Sequence, residues 1–303
     1  MNSGFELLDY IIFATYAFVI LTIGLWVSRD KKGKEKSAED YFLAGKSLPW
    51  WAIGASLIAA NISAEQVIGM TGSGFVVGLA IASYEWMAAI TLIIVGKYFL
   101  PIFIEKKIYT IPEFVEKRFS TELKTILAVF WIGLYIFVNL ASVLYLGGLA
   151  LETILDVDMK YAVLGLGLFA AAYSLYGGLS AVAWTDIIQV FFLILGGIVT
   201  TYLALDTVSG GEGAIEGFKT IYNAVPEKFD MILDKSNPEY NNLPGLGVLI
   251  GGMWVANIYY WGFNQYIIQR TLAAKSLKES QKGILFAAGL KMIMPLIIVI
   301  PGI

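Results

Sequence analysis

The sequence predicts an all-α protein that crosses a membrane many times, and three observations carry that prediction. Of 303 residues, 58% are hydrophobic and 15% charged, and mean hydropathy is +0.72; a soluble domain carries about 25% charged residues. The apolar residues fall into eight stretches, 8–28, 48–72, 79–104, 124–150, 160–176, 187–205, 244–268 and 284–303. A helix needs about 20 such residues to span a hydrocarbon core of about 30 Å. Lys and Arg, finally, are concentrated in alternate connections.

The first stretch, LDYIIFATYAFVILTIGLWVS, is too long for a signal-peptide core. It lacks a basic n-region and a small-residue cleavage site, so it reads as a retained helix. Segment 29–47 then holds six basic residues (Arg29, Lys31, Lys32, Lys34, Lys36 and Lys46), segment 105–124 holds five, and segment 269–283 holds Arg270, Lys275, Lys278 and Lys282. On the opposite side, 73–78 has none, 151–160 has Lys160, and 206–243 has Lys219, Lys228 and Lys235. This asymmetry predicts an N-terminus outside and strict alternation over eight crossings, by the positive-inside rule. Segment 177–186 has no Lys or Arg and reads as a silent loop. Lys97, near the inner end of its stretch, is expected to snorkel.

Stretch 48–72 contains a polar group that composition alone does not explain. IAANISAEQVIG places Asn61, Ser63, Glu65 and Gln66 amid Trp, Ile, Leu, Ala and Gly. Asn61 and Glu65 share a helix face while Gln66 points elsewhere, so a continuous helix cannot aim all of them at one site. A helix broken near 61–64 can, and it frees backbone carbonyls. Discontinuous helices of this kind build substrate and ion sites in secondary transporters, and such backbone is tolerated only where it lines a cavity.

Glu65, Glu85 and Lys291 are the costly charges, at about 2.5–3.5 kcal/mol each near mid-membrane. Two carboxylates and one ammonium are cheaper together, so stretches 48–72, 79–104 and 284–303 are expected to converge. A buried ion pair that fixes register is the plainer reading of the same residues, and a polar pocket is the functional one.

Stretch 244–268, PGLGVLIGGMWVANIYYWGFNQYII, is a second interrupted helix. Its glycines weaken it, Asn257, Asn264 and Gln265 interrupt it, and Asn257, Tyr260, Trp261 and Asn264 fall on one stripe at helical spacing. Interfacial aromatics account for Tyr259 and Tyr266. Segment 206–243, between the two interrupted helices, carries interleaved acids and apolar residues, and GAIEGFKTIYNAVPEKFDMIL predicts short amphipathic helices on the outer face.

The organisation expected is therefore an extra N-terminal helix and basic loop (1–47), a first repeat of five helices (48–205), an outer loop (206–243) and the start of an inverted second repeat (244–303). The apolar run ends at PGI without polar anchors, which reads as the edge of a fragment.

With no Cys and no His, disulfides, thiol nucleophiles, imidazole bases and the usual zinc or haem ligands are excluded. That weighs against a membrane-embedded enzyme; a channel would conduct without saturable uptake. At a net charge of −3, no nucleic-acid partner is expected. Amides, carboxylates, one Lys and flat rings suit a neutral polyol, whose hydroxyls each need a partner and whose C–H face can lie on an aromatic.

YSLYGGLSAVAWTDIIQ (173–189), NISAEQ and YYWGFNQYIIQRTLAAKS together resemble the sodium:solute symporter family, and GGMWVANIYYWGFNQYIIQR its sugar branch. The resemblance implies a five-plus-five inverted-repeat fold of the leucine-transporter type with an extra helix in front, in a bacterial-type inner membrane. It implies Na⁺-coupled symport of galactose or glucose. By the same resemblance, Gln66, Glu85, Asn257 and Lys291 match sugar hydrogen-bonding positions, with Asn61 facing that site. Tyr260 matches an aromatic inner gate, with Trp261 beside it. The carbonyls of Ala59 and Ile62 match two sodium ligands, the hydroxyl ligands lying beyond residue 303. Asp186 matches a position on an inner sodium path, although WTD at a helix start is also an N-terminal cap. Proline or a vitamin is the alternative solute.

Overall fold

Two short helices that do not join build the centre of the protein. The computed structural model describes residues 6–27, 29, 37–243 and 245–303, without the side chains of Ala64 and Glu65. Among them, five helices are long and apolar enough to cross a membrane, or six if the bent pair around Gly251 counts as one span. The protein is thus a multi-pass membrane protein.

All eight apolar stretches are helical over most of their length. α1 (Leu7–Val27) lies against α6 (Met159–Val208). Stretch 48–72 divides into α2 (Trp50–Asn61) and α3 (Ala64–Val77), where Ile62 (φ −90°, ψ 100°) and Ser63 (φ −104°, ψ 175°) are extended. α4 (Ser83–Ile94) continues through a π-helical turn, Val95–Phe99, to Glu105. α5 (Thr121–Leu155) contains another, Tyr135–Leu140. Beyond α7 (Ala214–Ala224) come α8 (Gly252–Ile258), the π-helical turn Tyr259–Phe263, α9 (Gln265–Leu272) and α10 (Leu277–Val299).

The core forms where α10 packs on α2 and α4, and α2 also packs on α6. α2 and α10 approach closely because neither has a side chain at the crossing. A Cβ on Gly54 would lie 2.7 Å from Gly283 O, and one on Gly283 would lie 2.8 Å from Ile53. Small residues bring helices together in this way where no hydrophobic force acts between them. The outward faces of α5 and α6 carry exposed Phe, Leu, Ile and Tyr, as lipid contact requires.

One expectation is corrected here. Residues 177–186 do not form a loop: the chain is helical on both sides of Gly178, whose φ of 61° and ψ of −153° alone break a 50-residue run. Only glycine adopts that conformation readily. A Cβ there would also stand 2.5 Å from Tyr41 O.

The basic segments meet at one end of the bundle. The Leu48 amide donates to Ala273 O at 3.2 Å and the Lys275 amide to Leu48 O at 3.3 Å, while Lys46 Nζ stands 4.4 Å over the Tyr109 ring. Segment 206–243 lies at the other end. It holds α7 and two short 3₁₀ turns, in line with the short helices expected. Lys228 Nζ donates to Phe75 O (2.8 Å) and Val76 O (2.6 Å), capping the last carbonyls of α3. Leu233 and Leu243 bury Ala80 beneath them.

Candidate functional site

The break between α2 and α3 is where the costly polar residues converge. The last ladder bond of α2 runs from Ile62 N–H to Ile58 O, so the carbonyls from Ala59 onward lie past it. Helix termini leave such carbonyls in need of partners. Ala59 and Ile62 also line a cavity of about 320 Å³ with Tyr16, Gln189, Val190, Phe192 and Leu193.

Lys291 is the centre of the polar cluster and is fully buried on α10. Its ammonium pairs with Glu85 Oε2 and donates to Asn61 Oδ1. It also stands 5.2 Å over the Trp261 ring, a cation–π distance. Gln66 Nε2, in the first turn of α3, donates to the other Glu85 oxygen at 2.6 Å. Asn61 Nδ2 donates to the Tyr260 hydroxyl at 3.0 Å, and the Tyr260 and Trp261 rings meet edge to face at 5.1 Å. Each buried charge thus has its counter-charge and further polar partners, which burial in hydrocarbon demands.

Glu85, Lys291, Asn61, Gln66, Tyr260 and Trp261 therefore form one connected group drawn from five elements. Asn257 stands apart from its bonds: its Nδ2 donates to Met253 O on its own helix at 3.1 Å, although α8 packs against α4. The side chain of Glu65 lies outside the described residues.

The expected stripe on 244–268 does not survive. The π-helical turn shifts the register, and Asn264 (φ −81°, ψ 120°) ends the helical run. Asn264 Oδ1 accepts from the Tyr135 hydroxyl at 2.9 Å, away from Lys291.

Asp186 occupies a second buried cluster. It lies eight residues past Gly178, inside α6, so it is not a helix cap. Ser56 Oγ donates to its carboxylate at 2.5 Å, Arg270 Nε donates to Ser56 Oγ at 2.8 Å, and Arg270 Nη2 lies 3.6 Å from Asp186 Oδ2. Arg270 is buried in α9 rather than free in a basic connection, which corrects its place in the charge asymmetry. Sequence reading missed Ser56, Arg270, Tyr135 and the Tyr266 hydroxyl. The only signal was Arg270 at helical spacing from Tyr266 and Ile267.

A broken helix, carbonyls past its last ladder bond and a buried polar cluster beside it are the features from which secondary transporters build substrate and ion sites. The family model of the sodium:solute symporter family matches residues 41–303, and the chain belongs to that family. It is 72% identical over its whole length to a sodium/glucose cotransporter of Vibrio parahaemolyticus, spanning 56% of that protein. It is 34% identical to human sodium/myo-inositol cotransporter 2, over 99% of this chain and 46% of the relative. The chain thus spans about half the length of these relatives. A Na⁺-coupled sialic acid symporter solved in a substrate-bound outward-open state superimposes with a TM-score of 0.84 at 25% identity, over 99% of this chain and 61% of the other. The fold is accordingly all-α and corresponds to part of the leucine-transporter-type, five-plus-five inverted-repeat fold of that symporter.

Proposed function

We propose that the protein to which this chain belongs carries out sodium-coupled symport of a neutral hexose, galactose or glucose, by alternating access. The observation that carries the reading is the connected group Gln66–Glu85–Lys291–Asn61–Tyr260 beside the α2–α3 break, with Trp261 under the ammonium. Its buried polar atoms bond to one another, and among the described residues none is left without a partner. A sugar enters by exchanging those bonds for its own hydroxyls, so a ligand without hydroxyls leaves buried groups unpaired and is rejected. The relation to a sodium/glucose cotransporter supports hexose over the inositol of the more distant relative.

Na⁺ is the coupling substrate. In this reading the carbonyls of Ala59 and Ile62 supply part of its shell, and Asp186 lies on the path by which it leaves. Na⁺ acts only by binding the two states unequally, since equal affinity shifts no equilibrium. One Na⁺ moving through about 100 mV yields about 2.3 kcal/mol; a tenfold gradient adds about 1.4 kcal/mol, enough for roughly several-hundred-fold accumulation. The protein moves its substrate unchanged and is not an enzyme. Residues 48–205 form the first repeat and 244–303 begin the second, with the N-terminus and segment 206–243 outside a bacterial-type inner membrane.

The test is uptake of labelled galactose, glucose and proline by the complete gene product in proteoliposomes, with and without an inward Na⁺ gradient. Na⁺-dependent hexose accumulation is expected. Proline accumulation would keep the fold and overturn the pocket.

A further inference from the structure

Two tyrosines flank the break at Asn264, and the sugar reading uses only one of them. Tyr260 precedes the break in the π-helical turn and Tyr266 follows it in α9, yet their phenol oxygens are 2.8 Å apart. The Tyr260 oxygen also accepts from Asn61, the last residue of α2 before the other break. One phenol oxygen therefore touches both broken helices and reaches the far half of the second.

Tyr266 is itself held in place. Its ring meets Tyr135 edge to face at 5.7 Å, and the Tyr135 hydroxyl donates to Asn264, the break residue. α9, which carries Tyr266, is tied to α2 through Arg270 and Ser56 and packs on it. A displacement of α9 relative to the π-helical turn that carries Tyr260 separates the two phenols, with the extended residue Asn264 as the joint between turn and helix.

We propose that Tyr266 is a positioning residue of the transport cycle, holding the Tyr260 ring beside the Lys291 cluster while α9 stays seated and releasing it when α9 moves; this rests on the symport reading above. With Tyr266 in place the Tyr260 oxygen has two partners on separate elements. Without it, the Tyr260 oxygen keeps only its hydrogen bond from Asn61, and Asn61 is shared with Lys291. The movement that opens the path past α9 thus also frees the ring that closes it. The hydroxyl is the active part, since a phenyl ring at 266 keeps the packing on Tyr135.

The test compares Tyr266→Phe with the unaltered complete gene product in proteoliposomes. Sodium-free efflux of preloaded galactose is expected to rise about three- to tenfold, the range set by losing one hydrogen bond. External half-saturation should move less than the efflux rate. Adding Tyr266→Phe to Tyr260→Phe should change nothing further, because both act through one oxygen. Efflux equal to wild type, or fully additive effects, overturns the proposal. If the unaltered protein shows no Na⁺-dependent hexose uptake, the symport reading fails by itself, and amide hydrogen exchange decides the role of Tyr266. Faster exchange confined to 259–264 in Tyr266→Phe supports the restraint, and unchanged exchange there removes it.

Discussion

Lys291–Glu85 and Arg270–Asp186 are both buried ion pairs, and they are built for different work. Lys291 is a compact point charge with rotatable donors, paired with Glu85, donating to the Asn61 amide and standing over the Trp261 ring beside a helix break, while Gln66 donates to the same Glu85. Its neighbours are groups that can trade one partner for another. Arg270 is a planar fork fixed by Ser56, the Asp186 carboxylate and Tyr266 O, and guanidinium geometry holds such a pair rigidly. On the proposed symport reading, the first cluster is the one that accepts a hydroxylated guest. The second joins α2, α6 and α9 into one piece. A buried charge in a membrane protein is thus informative only together with the exchangeability of its partners.

The largest effect expected is at the first pair. Lys291→Ala should weaken Na⁺-dependent galactose binding at least about a hundredfold, the scale of truncating one partner of a buried charge pair, with membrane insertion near normal. Calorimetric titration on the purified complete protein reads this, and wild-type affinity would remove Lys291 from the ligand set. Arg270→Ala should instead act on stability, by about 3–5 kcal/mol, because Asp186 is left buried and unpaired. A thermal melt in detergent checks it.

Replacing that pair jointly, with Arg270→Met and Asp186→Leu, sharpens the contrast. Most of the stability should return, since well-packed apolar residues substitute for buried pairs, while the Na⁺ concentration for half-maximal uptake should rise if Asp186 serves the ion path. Unchanged Na⁺ dependence would make the pair purely structural. Gly178→Ala should cost about 1–3 kcal/mol from backbone strain alone, displacing Asp186 and leaving Lys291 untouched; melting and Na⁺ titration separate the two. The smallest effect is at Lys228→Gln, which removes a cationic cap from α3 and should lower stability by about 0.3–1 kcal/mol, less at high salt.

Legibility followed how local the signal was. The Asn61–Gln66 group, Glu85 and Lys291 stood out because each is anomalous within its own apolar stretch, and their convergence followed from the expense of isolated charges. Asn264 misled because helical spacing was assumed through a turn that is π-helical. Asp186 read as a helix start because Gly178, one residue with positive φ, replaced the loop expected before it.

The sequence by itself determined that this chain is a helical membrane protein, where most of its helices run, and that one of them breaks at a polar group beside Ser63. These are local consequences of hydropathy and of the cost of buried polarity, and both are written residue by residue. Only the tertiary structure decided who pairs with whom. Asp186 meets Ser56 and Arg270, and Tyr260 meets both Asn61 and Tyr266, across separations as long as 214 residues. Such pairings depend on helix rotation and on where a single glycine or π-helical turn shifts the register, and no stretch of sequence carries that information alone.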